Sequence, residues 1–276
     1  LQSMKKSFFM IGQIPSYLAP VAANLIVGAF IVTGFNGCNK VENAAAAPQP
    51  PGSSTSSQVR TVQIKLQRGL NSYNGVRDTR TFNFQADNNY GSETTSRVQS
   101  ASGQIQRSLY YFDLTGVTAL VGATDACALE VTEGALELTG QNSDNPSYPP
   151  FELMFFKSSA PLFDEATVTH NQASTGAPWP VGGMILAAEI QPFQFNLDLS
   201  YGTSRINFPA EILYHWLCHP ESNKGFLIKY NAESSPSITT NGLYLSTSEA
   251  TDIQFDAGGA TVSRRPALLI NIKVSE

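Results

Sequence analysis

Histidine, tryptophan and cysteine are scarce in this 276-residue chain, which has three, two and three of them. So few metal-type ligands and thiols argue against a histidine-rich metal centre or a disulfide-dense scaffold. Charge is sparse as well, at 14% of residues, and the balance is acidic at −5. That excludes a general nucleic-acid binder. No G-x-S-x-G, H-E-x-x-H, P-loop or EF-hand loop occurs, so no familiar catalytic motif declares itself. No repeat of fixed period is visible, which favours one sizeable globular domain over two small ones.

What is present begins with an ordered N-terminal series. Lys5 and Lys6 precede an apolar run from Leu25 to Phe35 that stops at Asn36-Gly37-Cys38. Basic start, apolar core and a small residue before a Cys form the layout of a bacterial lipoprotein export segment. Residues 1–38 are read this way, with Met4 as the start and Cys38 as the lipid attachment. Several lipid chains on that thiol anchor a protein stably to a membrane. The rival reading is an uncleaved anchor over Tyr17 to Phe35, close to the roughly 20 apolar residues a span needs. Residues 39–58, rich in Ala, Pro, Ser and Thr, bury too little surface to offset their ordering entropy and read as a flexible linker.

The globular region is then 59–276. Apolar residues alternate with polar ones along it, the period of strands with one buried face. Val62, Ile64 and Leu66 do so, as do Tyr110, Phe112 and Leu114 against Leu109 and Tyr111. The pattern recurs in Leu136 and Leu138, in Phe193, Phe195, Leu197 and Leu199, and in Leu268, Ile270, Ile272 and Val274. Phe151 to Lys157 is nearly all apolar, as a central strand covered on both sides is. Turns are signalled at Asn74-Gly75, Asn142 to Pro150, Gly182-Gly183, Asn223 to Gly225, Asn241-Gly242 and Gly258-Gly259. One stretch reads as helix, with Asn207 as its cap, Pro209 in its first turn, and Ile212, Leu213, Trp216 and Leu217 on one face. The expected fold is all-β, a two-sheet jelly-roll sandwich with one short helix.

With Cys38 lipidated, Cys127 and Cys218 remain, and they form either one disulfide or two buried thiols. Charge is uneven. Arg60, Lys65, Arg68, Arg77, Arg80, Arg97 and Arg107 face only Asp78, Asp87 and Glu93 in that stretch, whereas the chain from Ser108 onward has seven basic and eighteen acidic residues. The basic sector is either a cationic face for an anionic ligand or a set of ordinary solvated side chains.

Several segments, in order, resemble the DNRLRE-type domain. They are Asn89-Tyr90-Gly91-Ser92, then Arg107 to Leu114, Phe163 to Asn171, Ile212 to Leu217, Asn223 to Lys229, Leu243 to Glu249, and Arg265 to Val274. Phe163 and His170 stand at two tryptophan positions of that pattern, and Tyr111 at an arginine. The resemblance implies a β-jelly-roll module of exported proteins, some of which are alginate-binding modules that hold uronate chains on a basic stretch near the NYGS turn. Here that stretch is Lys65 to Arg97. The expected ligand-binding residues are Lys65, Arg68, Arg77, Arg80 and Arg97, as partners of sugar carboxylates, with Tyr73 and Tyr90 as exposed stacking platforms. Trp179, between Pro178 and Pro180, is either another platform or an apolar plug, and Trp216 is core.

Two further groups bear on chemistry. His215, Cys218 and His219 fall near one face of the helix, a spacing suited to a metal, although core packing and the helix-end dipole account for the same residues. Asp164-Glu165 offers two carboxylates in a loop, compatible with solvent exposure or with a structural Ca²⁺. The expectation is a non-catalytic, membrane-anchored lipoprotein that binds an anionic polysaccharide and no nucleic acid. The alternatives are an adhesive surface or matrix protein and a polysaccharide lyase using His170.

Overall fold

The computed structural model describes residues 59–142, 150–180, 184, 187, 192–195, 202–231, 233, 242–251, 253–255 and 261–275, all within the unit Thr55–Glu276. The export segment with Cys38, the linker 39–58, Leu197 and Leu199, and the turns at 182–183 and 258–259 lie outside the described residues.

Those residues form fifteen strands: β1 (Val59–Gln67), β2 (Val76–Phe82), β3 (Thr95–Ala101), β4 (Gln104–Phe112), β5 (Glu130–Asn142), β6 (Phe151–Phe155), β7 (Gln172–Ser174), β8 (Ala177–Pro178), β9 (Phe193–Phe195), β10 (Thr203–Phe208), β11 (Phe226–Tyr230), β12 (Leu243–Ser246), β13 (Ile253–Phe255), β14 (Thr261–Ser263) and β15 (Ala267–Ser275). Every pairing among them is antiparallel.

One sheet runs β1-β15-β5-β10 and the other β2-β4-β11-β6-β9, while β12 and β3 join the end of β5 to the start of β4. Two short hairpins, β7-β8 and β13-β14, stand apart. This is an all-β, two-sheet sandwich of jelly-roll type, as the alternation implies.

The facing sides of both sheets make the main core. Ile64, Leu66, Leu136, Leu138, Leu268 and Ile270 meet Tyr110, Phe112, Phe151, Phe155, Phe226 and Ile228. Phe226 is central: its ring lies 5.3–6.4 Å from those of Tyr110, Phe112, Phe155 and Phe208. Such aromatic contacts add about 0.5–1.5 kcal/mol each beyond burial. Gly225 precedes it at φ +84°, and a Cβ there would meet the Tyr110 carbonyl, so only glycine fits this approach to β4. The outer side of the second sheet is covered too. Leu109 and Leu227 pack under Phe156, Phe163, Val168 and Trp179 from the long segment after β6; Met154 of β6 joins them, while Glu152 on the same face of β6 pairs with Lys229.

The helix begins later than its sequence signals suggest. Asn207 is not its cap but pairs with Ala135 inside β10; the ladder outcompetes the cap. The helix α2 (Ala210–Cys218) starts after Pro209 and buries Leu213, Trp216 and Leu217. A five-residue helix, α1 (Val117–Val121), was not signalled and buries Val117 and Val121. Cys127 and Cys218 form a disulfide, their Cα atoms 4.7 Å apart. The bond fastens the end of α2 to the turn before β5.

Candidate functional site

Arg77 and Arg80 are three residues apart on β2, and odd separations along a strand point to opposite faces. Arg77 pairs in register with Tyr111, and Arg80 with Ser108. The Arg77 guanidinium lies 5.3 Å from the Tyr111 ring centre and donates to the Phe163 carbonyl at 3.3 Å, on the outer side. Arg80 is on the inner side, 4.4 Å from the Tyr90 ring centre and 2.9 Å from Glu93.

The remaining cations go elsewhere. Lys65, on the outer side of β1, is 2.7 Å from Glu137 on β5. Arg68 bonds Glu165 at 2.9 Å, also pairs with Glu249, and donates to the Val76 carbonyl. Arg97 lies 4.7 Å from the Tyr244 ring centre, its cross-strand neighbour. The five side chains therefore do not share one face, and three of them already hold carboxylates.

The two tyrosines are not open platforms. Tyr90 is 7% exposed, with its hydroxyl bonded to the Gln85 amide and its face covered by Arg80. Tyr73 is half-buried and donates to the Asp113 carbonyl at 2.9 Å. Burial, with Asp113 adding to it, pushes its pKa well up. Trp179 is 6% exposed, stacks 5.7 Å from Phe156 and donates to the Thr169 carbonyl. It is the plug rather than the platform.

The segment 83–93 supplies what the tyrosines do not. Phe84 is 60% exposed, and its ring stacks 6.0 Å from that of Phe82 at an interplanar angle of 18°. Phe82 sits two positions beyond Arg80 on the same side of β2, and Gln85 bonds Tyr90. The Arg80 guanidinium and the Gln85 amide thus meet at Tyr90, and the phenyl pair begins two residues beyond Arg80.

The turn itself is fixed. Asn83 donates to the Gly103 carbonyl and accepts from the Ile105 N–H. Asn89 donates to the carbonyls of Glu165 and Val168. Gly91 touches the Glu165 backbone so closely that a Cβ would collide. Asn171 reaches Asp87 at 2.6 Å. Sequence reasoning missed Phe84 because it sits in a helical turn after β2 rather than in an alternating run.

No family model matches the chain, and no curated protein matches it. The likeness to DNRLRE-type domains rests on the quoted motifs alone.

The loop acids are structural in placement. Glu165 accepts from the Asp78 N–H and from Arg68. Asp164 accepts from the Ala166 N–H and the Thr167 hydroxyl. Among the described residues no group of three or more His, Cys, Asp or Glu side chains is placed to hold a metal, and Cys218 is consumed by the disulfide. His170 is partly buried; burial and the nearby Arg107 lower its pKa. Arg107 itself is held by Glu233 through two bonds of 2.8–2.9 Å.

Proposed function

We propose that this chain is a non-catalytic polysaccharide-binding module, exported and lipid-anchored through Cys38, whose ligand is an anionic uronate polymer such as alginate. The observation that carries this reading is the exposed Phe84 ring, stacked on Phe82, which follows Arg80 by two positions on the same side of β2. A pyranose presents apolar C–H faces that pack on flat aromatic rings. Its carboxylate takes charge-assisted bonds from a guanidinium. Gln85 and Asn88 stand in the same turn for hydroxyl contacts. Arg80 has a partner in Glu93, so a uronate would bind by exchanging with it. Within the expected basic stretch, Arg80 is the residue this reading keeps at the centre; Arg77 faces the other way.

Affinity electrophoresis through gels containing alginate or pectate tests the reading. Wild-type protein is expected to be retarded. Phe84→Ala and Arg80→Ala should each lose most of that retardation, while Arg77→Ala keeps it. Equal retardation of wild type and Phe84→Ala rejects the site.

A second reading, an adhesive surface protein, is favoured by the outer face of the first sheet. Lys65–Glu137, Lys273–Glu130 and Arg205–Glu133 pairs and the Gln63–Asn271–Glu133 bonds lace it into an even, balanced polar surface. Self-association of the chain without any glycan retention selects that reading.

A further inference from the structure

We infer that α2 carries a surface chelate for a borderline transition ion, Cu²⁺ most tightly, formed by His215 and His219. The two residues are four apart, His215 in the last turn of α2 and His219 capping its end, close to the spacing that brings side chains to one side of a helix. The backbone bond from the His219 N–H to the His215 carbonyl, 2.8 Å, holds that spacing at the helix end. Both residues are exposed, and their ring centres are 5.0 Å apart with planes inclined at 48°.

That separation is the one chelation demands. An imidazole bound at about 2.0–2.1 Å puts its ring centre about 3.2 Å from the ion. Two rings at roughly 90–109° around one ion then lie about 4.5–5.2 Å apart. The ring centres are thus already at chelating distance, and both exposed side chains can turn about their own bonds to aim a nitrogen at the ion.

Imidazole suits copper, nickel and zinc, and affinity among divalent ions peaks at Cu²⁺. Glu221 Oε1 lies 3.9 Å from His219 Nδ1, and both side chains are solvent-exposed. Rotation of Glu221 brings a carboxylate toward the ion, and water fills the other positions. Cys218, between the two histidines, is locked in its disulfide with Cys127; it braces the helix end instead of binding the ion. The third histidine, His170, is in the loop over the second sheet, away from this helix, and serves as the internal control.

The test uses the full chain without a polyhistidine tag, titrated calorimetrically with CuCl₂ and separately with ZnCl₂. One Cu²⁺ per chain is expected, with Zn²⁺ weaker. Its electron paramagnetic resonance spectrum should show coupling to two nitrogens. His215→Gln and His219→Gln should each weaken Cu²⁺ binding at least tenfold and leave one-nitrogen coupling, with circular dichroism unchanged. His170→Gln should bind like wild type. Undiminished Cu²⁺ binding in the His215→Gln/His219→Gln double variant, or no binding by wild type, overturns the inference.

Discussion

Asp78 is the least expected charged residue in the fold. It faces inward from β2 at 1% exposure, and its carboxylate accepts from the Ser248 N–H at 2.8 and 3.0 Å and from the Ser248 hydroxyl at 2.7 Å. Burial outweighs those bonds and pushes its pKa up to about 7; Glu165 also raises it, while Arg68 works the other way. The folded chain therefore binds a proton more readily than the unfolded one between the ordinary carboxylate value of 3.8 and about 7. By linkage, Asp78's contribution to stability is fully present below that window and is lost as pH rises through it. A shift of this size corresponds to about 4 kcal/mol across the window. Urea unfolding at steps from acidic to neutral pH should show this decline, and Asp78→Asn should flatten it. A wild-type profile that rises from pH 4 to 7 contradicts the assignment. Nothing in the sequence distinguishes Asp78 from its neighbours, because its burial depends on which way an edge strand's alternation falls. The same parity separates Arg77 from Arg80. Crowding of cations along the chain was legible; their division between two faces was not.

The strands were legible where one face is apolar, as in β1 and β15, because burial enforces the period. They were less so where the ladder is held by other means. β10 absorbs Asn207, which reads locally as a helix cap, because pairing along Gly134–Thr139 of β5 satisfies its backbone. The second core was visible only as the nearly unbroken apolar run from Phe151 to Lys157. Its cover, with Phe163, Val168 and Trp179, comes from a loop whose residues show no periodicity. Helix α2 also depends on a distant partner, since its bond to Cys127 closes a loop of sequence separation 91. Cross-links over such loops typically stabilise by about 2–4 kcal/mol, chiefly by restricting the unfolded chain. Cys127→Ser/Cys218→Ser should lower the urea midpoint accordingly with little change in the native circular dichroism spectrum. Wild type in reductant should match the double variant. Equal midpoints for oxidised and reduced wild type would show that α2 needs only its Leu213, Trp216 and Leu217 contacts.

At the scale of the whole molecule, most cations among the described residues are committed within the fold. Lys229 likewise lies 2.8 Å from Glu152, and the chain's net charge remains −5. A polyanion approaching it meets long-range repulsion from the molecule and short-range attraction at Arg80. These two effects screen differently. The Debye length is about 10 Å at 0.1 M salt and about 3 Å at 1 M, so modest salt removes the repulsion while the close contact survives. High salt then weakens the contact as well. Retardation in alginate gels is therefore expected to rise from very low salt to about 0.1 M and to fall again toward about 1 M. Arg80→Ala should abolish the falling limb, leaving whatever stacking on Phe84 contributes. In a neutral dextran gel the mobility should not follow this curve. A monotonic loss of retardation from the lowest salt onward would mean that net charge plays no part and that a cationic surface other than Arg80 governs the encounter.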